Sequence, residues 1–240
     1  MSKKRTHIAA KGDPKTVAFW AFMAVALVLV VGMCWGAQGR TTAVADDTRI
    51  KVPDLTAHVT PRLSVIGDSY SAGSDNDQVW PQLVADQRGW WLANAAKGGA
   101  GFVAGGPEKV FAAQVEHAVW TQPDIIIVAG SRNDQYEPYK VRGAADTLFA
   151  DLKAKAPQAQ IVAIGPMWDN SAPSAGVVEA DAAVRSAAEA AGIQFIEVLA
   201  EDWLGDPLLI QADGVHPTDI GQQVIAERVN ATVPTVTLPR

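Results

Sequence analysis

The chain has 240 residues, 48% of them hydrophobic and 19% charged, with a net charge of −6 and a single cysteine. This is enough for one domain with a sizeable core, and it excludes a chain that is disordered throughout. Cys34, standing alone, excludes an intrachain disulfide and a Cys-pair metal site. Residues 1–40 hold six basic side chains against one acidic, which leaves −11 on residues 41–240. An acidic body repels phosphate, so nucleic acid is not an expected partner.

Residues 1–15 form a basic tail. From Thr16 to Trp35 there are twenty residues without a charge. A helix of that length, at ~1.5 Å per residue, spans a bilayer's hydrocarbon core. Trp20 and Trp35 stand near its ends, where indoles favour the interface. Five basic side chains precede the run and only Arg40 follows closely, so the positive-inside bias places the N-terminus in the cytoplasm. The expectation is a membrane anchor over residues 16–36, with the rest of the chain extracytoplasmic. A cleaved signal segment is the competing reading, because Ala43-Val44-Ala45 fits small-x-small; the product would then be secreted. The length of the run and its distance from that site favour the anchor. Cys34 reads as a small membrane-facing residue, since Met33 precedes it where a lipid-modified cysteine needs a small one. Residues 37–60, mixed and containing Pro53, read as a linker to a domain over 61–240.

Within that domain, short apolar runs alternate with helical spacing. Arg62–Ile66 reads as a strand and Val79–Gln87 as a helix with Pro81 in its first turn. Trp90–Ala95 is a second strand, and Glu108–Thr121 has helical spacing. Asp124–Ala129 is a continuous apolar strand, as both-face burial requires. Val141–Ala156 is helical, Gln160–Ile164 a strand, and Val177–Ala191 a helix closed by Gly192. Ile193–Leu199 is a fifth strand and Thr218–Val229 a last amphipathic helix. This alternation predicts a three-layer α/β/α sandwich around a mostly parallel five-stranded sheet.

Active residues in such folds gather at the carboxyl ends of strands. Five polar clusters fall there: Gly67-Asp68-Ser69, Lys97-Gly98-Gly99, Ser131-Arg132-Asn133-Asp134, Met167-Trp168-Asp169 and Asp213–His216. A serine hydroxyl needs a neighbouring base, usually a histidine oriented by a carboxylate. Of the two histidines beyond the linker, His117 lies inside a helix and reads as a partly exposed helical residue. His216 sits in Asp213-Gly214-Val215-His216-Pro217, where Asp213 can fold back onto the imidazole and Pro217 would stiffen the first helical turn. Ser69 after a strand is either a helix cap or a nucleophile. The Asn133 amide and a Gly99 N–H are candidate oxyanion donors beside the Ser69 N–H. No histidines pair at ligand spacing, so neither a metal nor a cofactor is expected.

Here the chain resembles the SGNH (GDSL-type) hydrolases over roughly residues 61–231. Gly67–Gly73 (GDSYSAG) matches the family's first block and implies Ser69 as nucleophile. Asn94–Gly99 matches the second and implies Gly99 as oxyanion glycine, with Gly98 the alternative. Asn133-Asp134 matches the third and implies Asn133 as donor. Asp213-x-x-His216-Pro217 matches the last and implies the base and its orienting acid. One departure lies in the third block, usually Gly-x-Asn-Asp: Gly130 is one position too far from Asn133, so either Ser131 replaces the glycine or the turn is longer. The resemblance implies a flavodoxin-like sandwich and a serine esterase acting on acetyl or short acyl esters, with envelope glycans among the candidate substrates. An acyltransferase of the same fold and a catalytically inactive tethered module are the rivals. The α/β-hydrolase elbow Gly-x-Ser-x-Gly is not met, because Ser71 stands two residues after Ser69. Asp68 and Ser71 are expected to brace the nucleophile loop. Trp168 is a candidate wall of the substrate site, and Arg132 is a candidate substrate contact or a surface ion pair.

Overall fold

A computed structural model of the chain describes residues 59–236 and residue 238. The predicted tail, the anchor at 16–36 and nearly all of the linker lie outside the described residues. Among those described, no helix is long and apolar enough to cross a membrane.

Five strands form one sheet: β1 Arg62–Ile66, β2 Trp91–Asn94, β3 Ile125–Ala129, β4 Gln160–Ile164 and β5 Gln194–Ile196. All pairings are parallel and the order is β2-β1-β3-β4-β5. Six α-helices accompany them: α1 Ser69–Ala72, α2 Trp80–Arg88, α3 Phe111–Trp120, α4 Pro138–Lys155, α5 Ala175–Ala191 and α6 Asp219–Thr232.

The period-two alternation of the strands divides the core into two layers. In β3, Ile126 and Val128 pack with Phe111, Val115, Phe149 and Val184 from α3, α4 and α5. Ile125, Ile127 and Ala129 face the other way, onto Trp80 and Val84 of α2 and Ile225 and Val229 of α6. All five residues of β3 are buried, which explains its uninterrupted apolar run.

Strand order decides where a site can form. β1 pairs with both β2 and β3, so successive connections leave β1 in opposite directions. That reversal opens a crevice at the carboxyl ends of β1 and β3. The loops carrying Ser69 and Asn133 are the ones that flank it.

Element bounds differ from sequence expectation where loops compete. The helix expected from Glu108 starts at Phe111, because a turn on the Gly106 carbonyl takes up Lys109 and Val110. The helix expected from Val141 starts at Pro138, whose fixed φ suits a first turn. β5 pairs over three residues instead of seven; beyond Ile196 the chain turns, with Glu201 N–H donating to the Val198 carbonyl. Pro217 lies ahead of α6 instead of inside its first turn. Thr218 caps that helix, and Pro217 pairs with Ile210 in a short antiparallel bridge.

Candidate active site

Gly67 ends β1 and turns the chain sharply. A Cβ there would lie 2.6 Å from Ser71 Oγ, so the turn has no room for a side chain. Its backbone is clamped by Gln114, which is fully buried. Gln114 Oε1 accepts from Gly67 N–H at 3.0 Å, and Nε2 donates to the Gly67 carbonyl at 2.9 Å. Asp68 then caps α1, its Oδ1 accepting from Tyr70 N–H at 2.9 Å. The capping duty therefore falls on Asp68, which leaves the Ser69 hydroxyl for His216. Ser71 Oγ accepts from Trp80 Nε1 at 3.2 Å and braces the loop from behind.

The histidine arrives on a different kind of support. The Ile210–Pro217 bridge closes a small loop, reinforced by Gln211 N–H donating to the His216 carbonyl at 2.7 Å. At its tip, Asp213 Oδ1 accepts from the backbone N–H groups of Val215 (2.9 Å) and His216 (3.0 Å). Its Oδ2 lies 2.6 Å from His216 Nδ1. His216 Nε2 lies 3.0 Å from Ser69 Oγ, across 147 residues of chain. Those hydrogen bonds, from the imidazole first, hold the Asp213 carboxyl down at about 2. An ionised Asp213 fixes the proton on Nδ1 and leaves Nε2 as acceptor toward the serine.

The ends of β2 and β3 converge on the same place. Lys97–Ala100 forms a turn closed by Ala100 N–H donating to the Lys97 carbonyl, with Gly99 at φ +74. Positive φ at the third turn position is the demand that glycine answers. Among the described residues, the N–H groups of Ser69, Gly98 and Gly99 donate to no protein acceptor. Asn133 sits in a 3₁₀ turn, Arg132–Tyr136, capped by Ser131. One of its amide hydrogens is held by the Ala100 carbonyl at 2.9 Å, which leaves the second for another acceptor. Asp134 is buried and accepts from the N–H groups of Phe102, Val103 and Ala104, so it anchors the loop after β2.

Arg132 is not at the surface. Its guanidinium donates to Asp169 Oδ2 at 2.8 Å and to the Tyr70 hydroxyl at 3.1 Å, and it stacks 4.2 Å from the Trp168 ring centroid. Its side chain is 14% exposed and that of Asp169 5%. The expected surface ion pair is thus a shielded one, and the guanidinium is already engaged. Tyr70 passes the contact on, donating to the Val215 carbonyl beside His216. This brace from β4 to the histidine loop has no signature in the sequence: Tyr70, Arg132 and Val215 fill variable positions of the blocks, and nothing in the blocks pairs them with each other or with Asp169. Gln114 and Gln222 were missed for the same reason; Gln222 accepts from Trp80 N–H and donates to the Tyr70 carbonyl. His117 lies exposed on α3, away from this cluster.

A cavity of about 320 Å³ opens beside this brace, walled by Met167, Trp168, Val198, Leu199, Trp203 and Leu204 among others. Among the described residues, no group of histidines, cysteines and carboxylates is arranged to hold a metal ion.

Comparison with known proteins bears on the same residues. The model of the GDSL-like lipase/acylhydrolase family matches residues 65–224. The chain is 31% identical over 222 residues to the GDSL lipase Rv0518 of Mycobacterium tuberculosis (strain ATCC 25618 / H37Rv), covering 85% of this chain and 92% of that protein. Among solved structures it is similar to TesA, with a TM-score of 0.61 at 20% identity over 73% of this chain and 99% of that one. It is also similar to the acetyl xylan esterase AlAXEase, with a TM-score of 0.60 at 14% identity over 72% and 100%. At these identities the two structures speak for the fold alone.

Proposed function

This chain belongs to the GDSL-like lipase/acylhydrolase family, whose members are hydrolases acting on ester bonds, and on that basis we propose that it cleaves short acyl esters through an acyl-enzyme on Ser69. The observation that carries the reading is the aligned series Ser69 Oγ, His216 Nε2 at 3.0 Å, and Asp213 Oδ2 at 2.6 Å from His216 Nδ1. His216 takes the serine proton as Ser69 attacks the ester carbonyl. Asp213 stabilises the imidazolium that forms. The developing oxyanion is met by Ser69 N–H, by the Gly99 N–H (or that of Gly98) and by the second Asn133 amide hydrogen. His216 then returns its proton to the leaving alcohol, and water releases the acid.

The short-acyl reading is supported by the sequence of residues 61–240, which holds no long apolar segment that could serve as a lid. The cavity of about 320 Å³ shares Trp168 and Asp169 with the brace, and none of Ser69, Gly99, Asn133 and His216 lines it. Trp168 is its wall nearest the brace, and Arg132 positions that indole through stacking. The hydrolase reading is preferred to acyl transfer onto a glycan because the family's members are hydrolases acting on ester bonds. Location is carried forward from Thr16–Trp35: a tethered enzyme with residues 61–240 as the hydrolase domain outside the membrane, which protease protection in intact cells would test.

A panel of p-nitrophenyl esters from acetyl to palmitoyl tests the substrate class, with acetylated glycans alongside. Catalytic efficiency should be greatest at two to four carbons and should not need a glycan acceptor. A maximum at long chains would overturn the short-acyl assignment. Acid release that depends on added glycan would favour the transferase.

A further inference from the structure

Ser131 stands where the third family block usually carries glycine, and its side chain is put to use. The residue is 2% exposed. Its Oγ lies 2.7 Å from Asp68 Oδ2, 2.7 Å from the Ala100 carbonyl oxygen and 3.0 Å from Asn133 N, whose hydrogen it accepts. Each contact reaches a different strand end. Asp68 precedes Ser69 after β1, Ala100 follows Gly99 after β2, and Asn133 follows β3. We propose that Ser131 is a positioning residue, a buried hydroxyl that holds the Ser69, Gly99 and Asn133 segments in the spacing an oxyanion needs. This rests on the esterase reading above and assigns to that site a residue the motif does not include.

Proton counting shows how the hub works. The hydroxyl has one hydrogen and two acceptors at 2.7 Å. With Asp68 ionised, the hydrogen goes to the carboxylate, the stronger acceptor. The Ala100 carbonyl is then served by the Asn133 amide, which fixes that amide's plane. With Asp68 protonated, the carboxyl donates to Ser131 Oγ, and the hydroxyl turns to the Ala100 carbonyl, which then accepts from both the hydroxyl and the Asn133 amide. The groups that bear on Asp68 are Asp134, which resists its ionisation, and Ser131, Tyr70 N–H and His216, which favour it. Burial outweighs them and lifts its carboxyl to about 6.

The test is the kinetics of p-nitrophenyl acetate hydrolysis at pH 8 for Ser131→Ala, Ser131→Gly and Ser131→Thr, with Ser69→Ala in the same assay. Misplaced donors lower the rate of the chemical step more than ground-state binding, so Ser131→Ala should lose ~10- to 100-fold in kcat with KM near wild type. Ser131→Thr keeps the hydroxyl and should recover most of that loss. The Asp68 carboxyl, followed by carbon-13 NMR and assigned with Asp68→Asn, should titrate at higher pH in Ser131→Ala than in wild type. A wild-type kcat in folded Ser131→Ala, or a loss confined to KM, overturns the proposal. So does failure of both the Ala and Gly variants to fold, which would assign Ser131 to stability alone. If Ser69→Ala itself keeps turnover, the esterase reading of the site fails; if only Ser131→Ala does, the hub fails and that reading stands.

Discussion

Replacing Asp213 with asparagine changes one atom and inverts a hydrogen-bond direction. Oδ1 of Asp213 accepts from two backbone N–H groups, at 2.9 and 3.0 Å. An asparagine must therefore keep its carbonyl there and turn its NH₂ toward His216 Nδ1. Nδ1 then becomes the acceptor, the ring proton moves to Nε2, and Nε2 can no longer take the Ser69 proton. A buried triad acid changed in this way costs ~10,000-fold in kcat. Here the side chain is 45% exposed, and the amide can flip. The flip gives up two backbone hydrogen bonds, at ~0.5–1.5 kcal/mol each. Active flipped molecules are thus a minority, roughly one in five to one in 150 on a cost of about 1–3 kcal/mol. Asp213→Asn should lose from ~5-fold up to ~10,000-fold in kcat, the upper bound applying where no flip occurs, with little change in KM. Steady-state hydrolysis of p-nitrophenyl acetate measures it, with near-UV circular dichroism to show that the fold is kept. A wild-type kcat in a folded variant would refute the tautomer argument.

Asn133→Ala removes one oxyanion donor and should cost ~100- to 1,000-fold in kcat, again with KM near wild type; a KM effect alone would place Asn133 in substrate binding instead. Asp68 also makes stability depend on pH. Its folded carboxyl titrates at about 6 against 3.8 in the reference state, so between those values the native state keeps a proton that the unfolded chain has released. Stability therefore falls as pH rises through that window. Asp213, held at about 2, has the opposite sign: its contribution is present above its unfolded pKa and is lost as pH falls toward 2. Urea unfolding from pH 4 to 7 should show a shallower decline in Asp68→Asn than in wild type. Equal slopes would count against a buried, proton-holding Asp68.

The strands were legible where burial on both faces made the pattern simple. Arg62–Ile66 and Gln160–Ile164 have the bounds that their apolar runs predict. The expected fifth strand, Ile193–Leu199, overruns β5 because Val198, though outside the sheet, is buried in the same core layer as Trp80 and Ile225 and so has the apolar pattern of a strand. The polar clusters at the strand ends were legible because parallel strands place all their carboxyl ends on one edge. What holds those clusters was not. Gln114 and Gln222 lie on helices whose spacing reads as ordinary, and only the fold turns them toward Gly67 and Trp80. Ser131 departs from the glycine of the third block, and its role is not legible in the sequence because its three partners lie 31, 63 and two residues away. Arg132 looked exposed because nothing in the sequence says that Asp169 and Trp168 close over it.

Covalent capture of the nucleophile is the most direct test of the site. Incubation with a fluorophosphonate, followed by peptide mass spectrometry, should find a single adduct on Ser69. Ser69→Ala should take up no label and show no ester turnover above background. An adduct on a different side chain, or wild-type turnover in Ser69→Ala, would contradict the acyl-enzyme at Ser69.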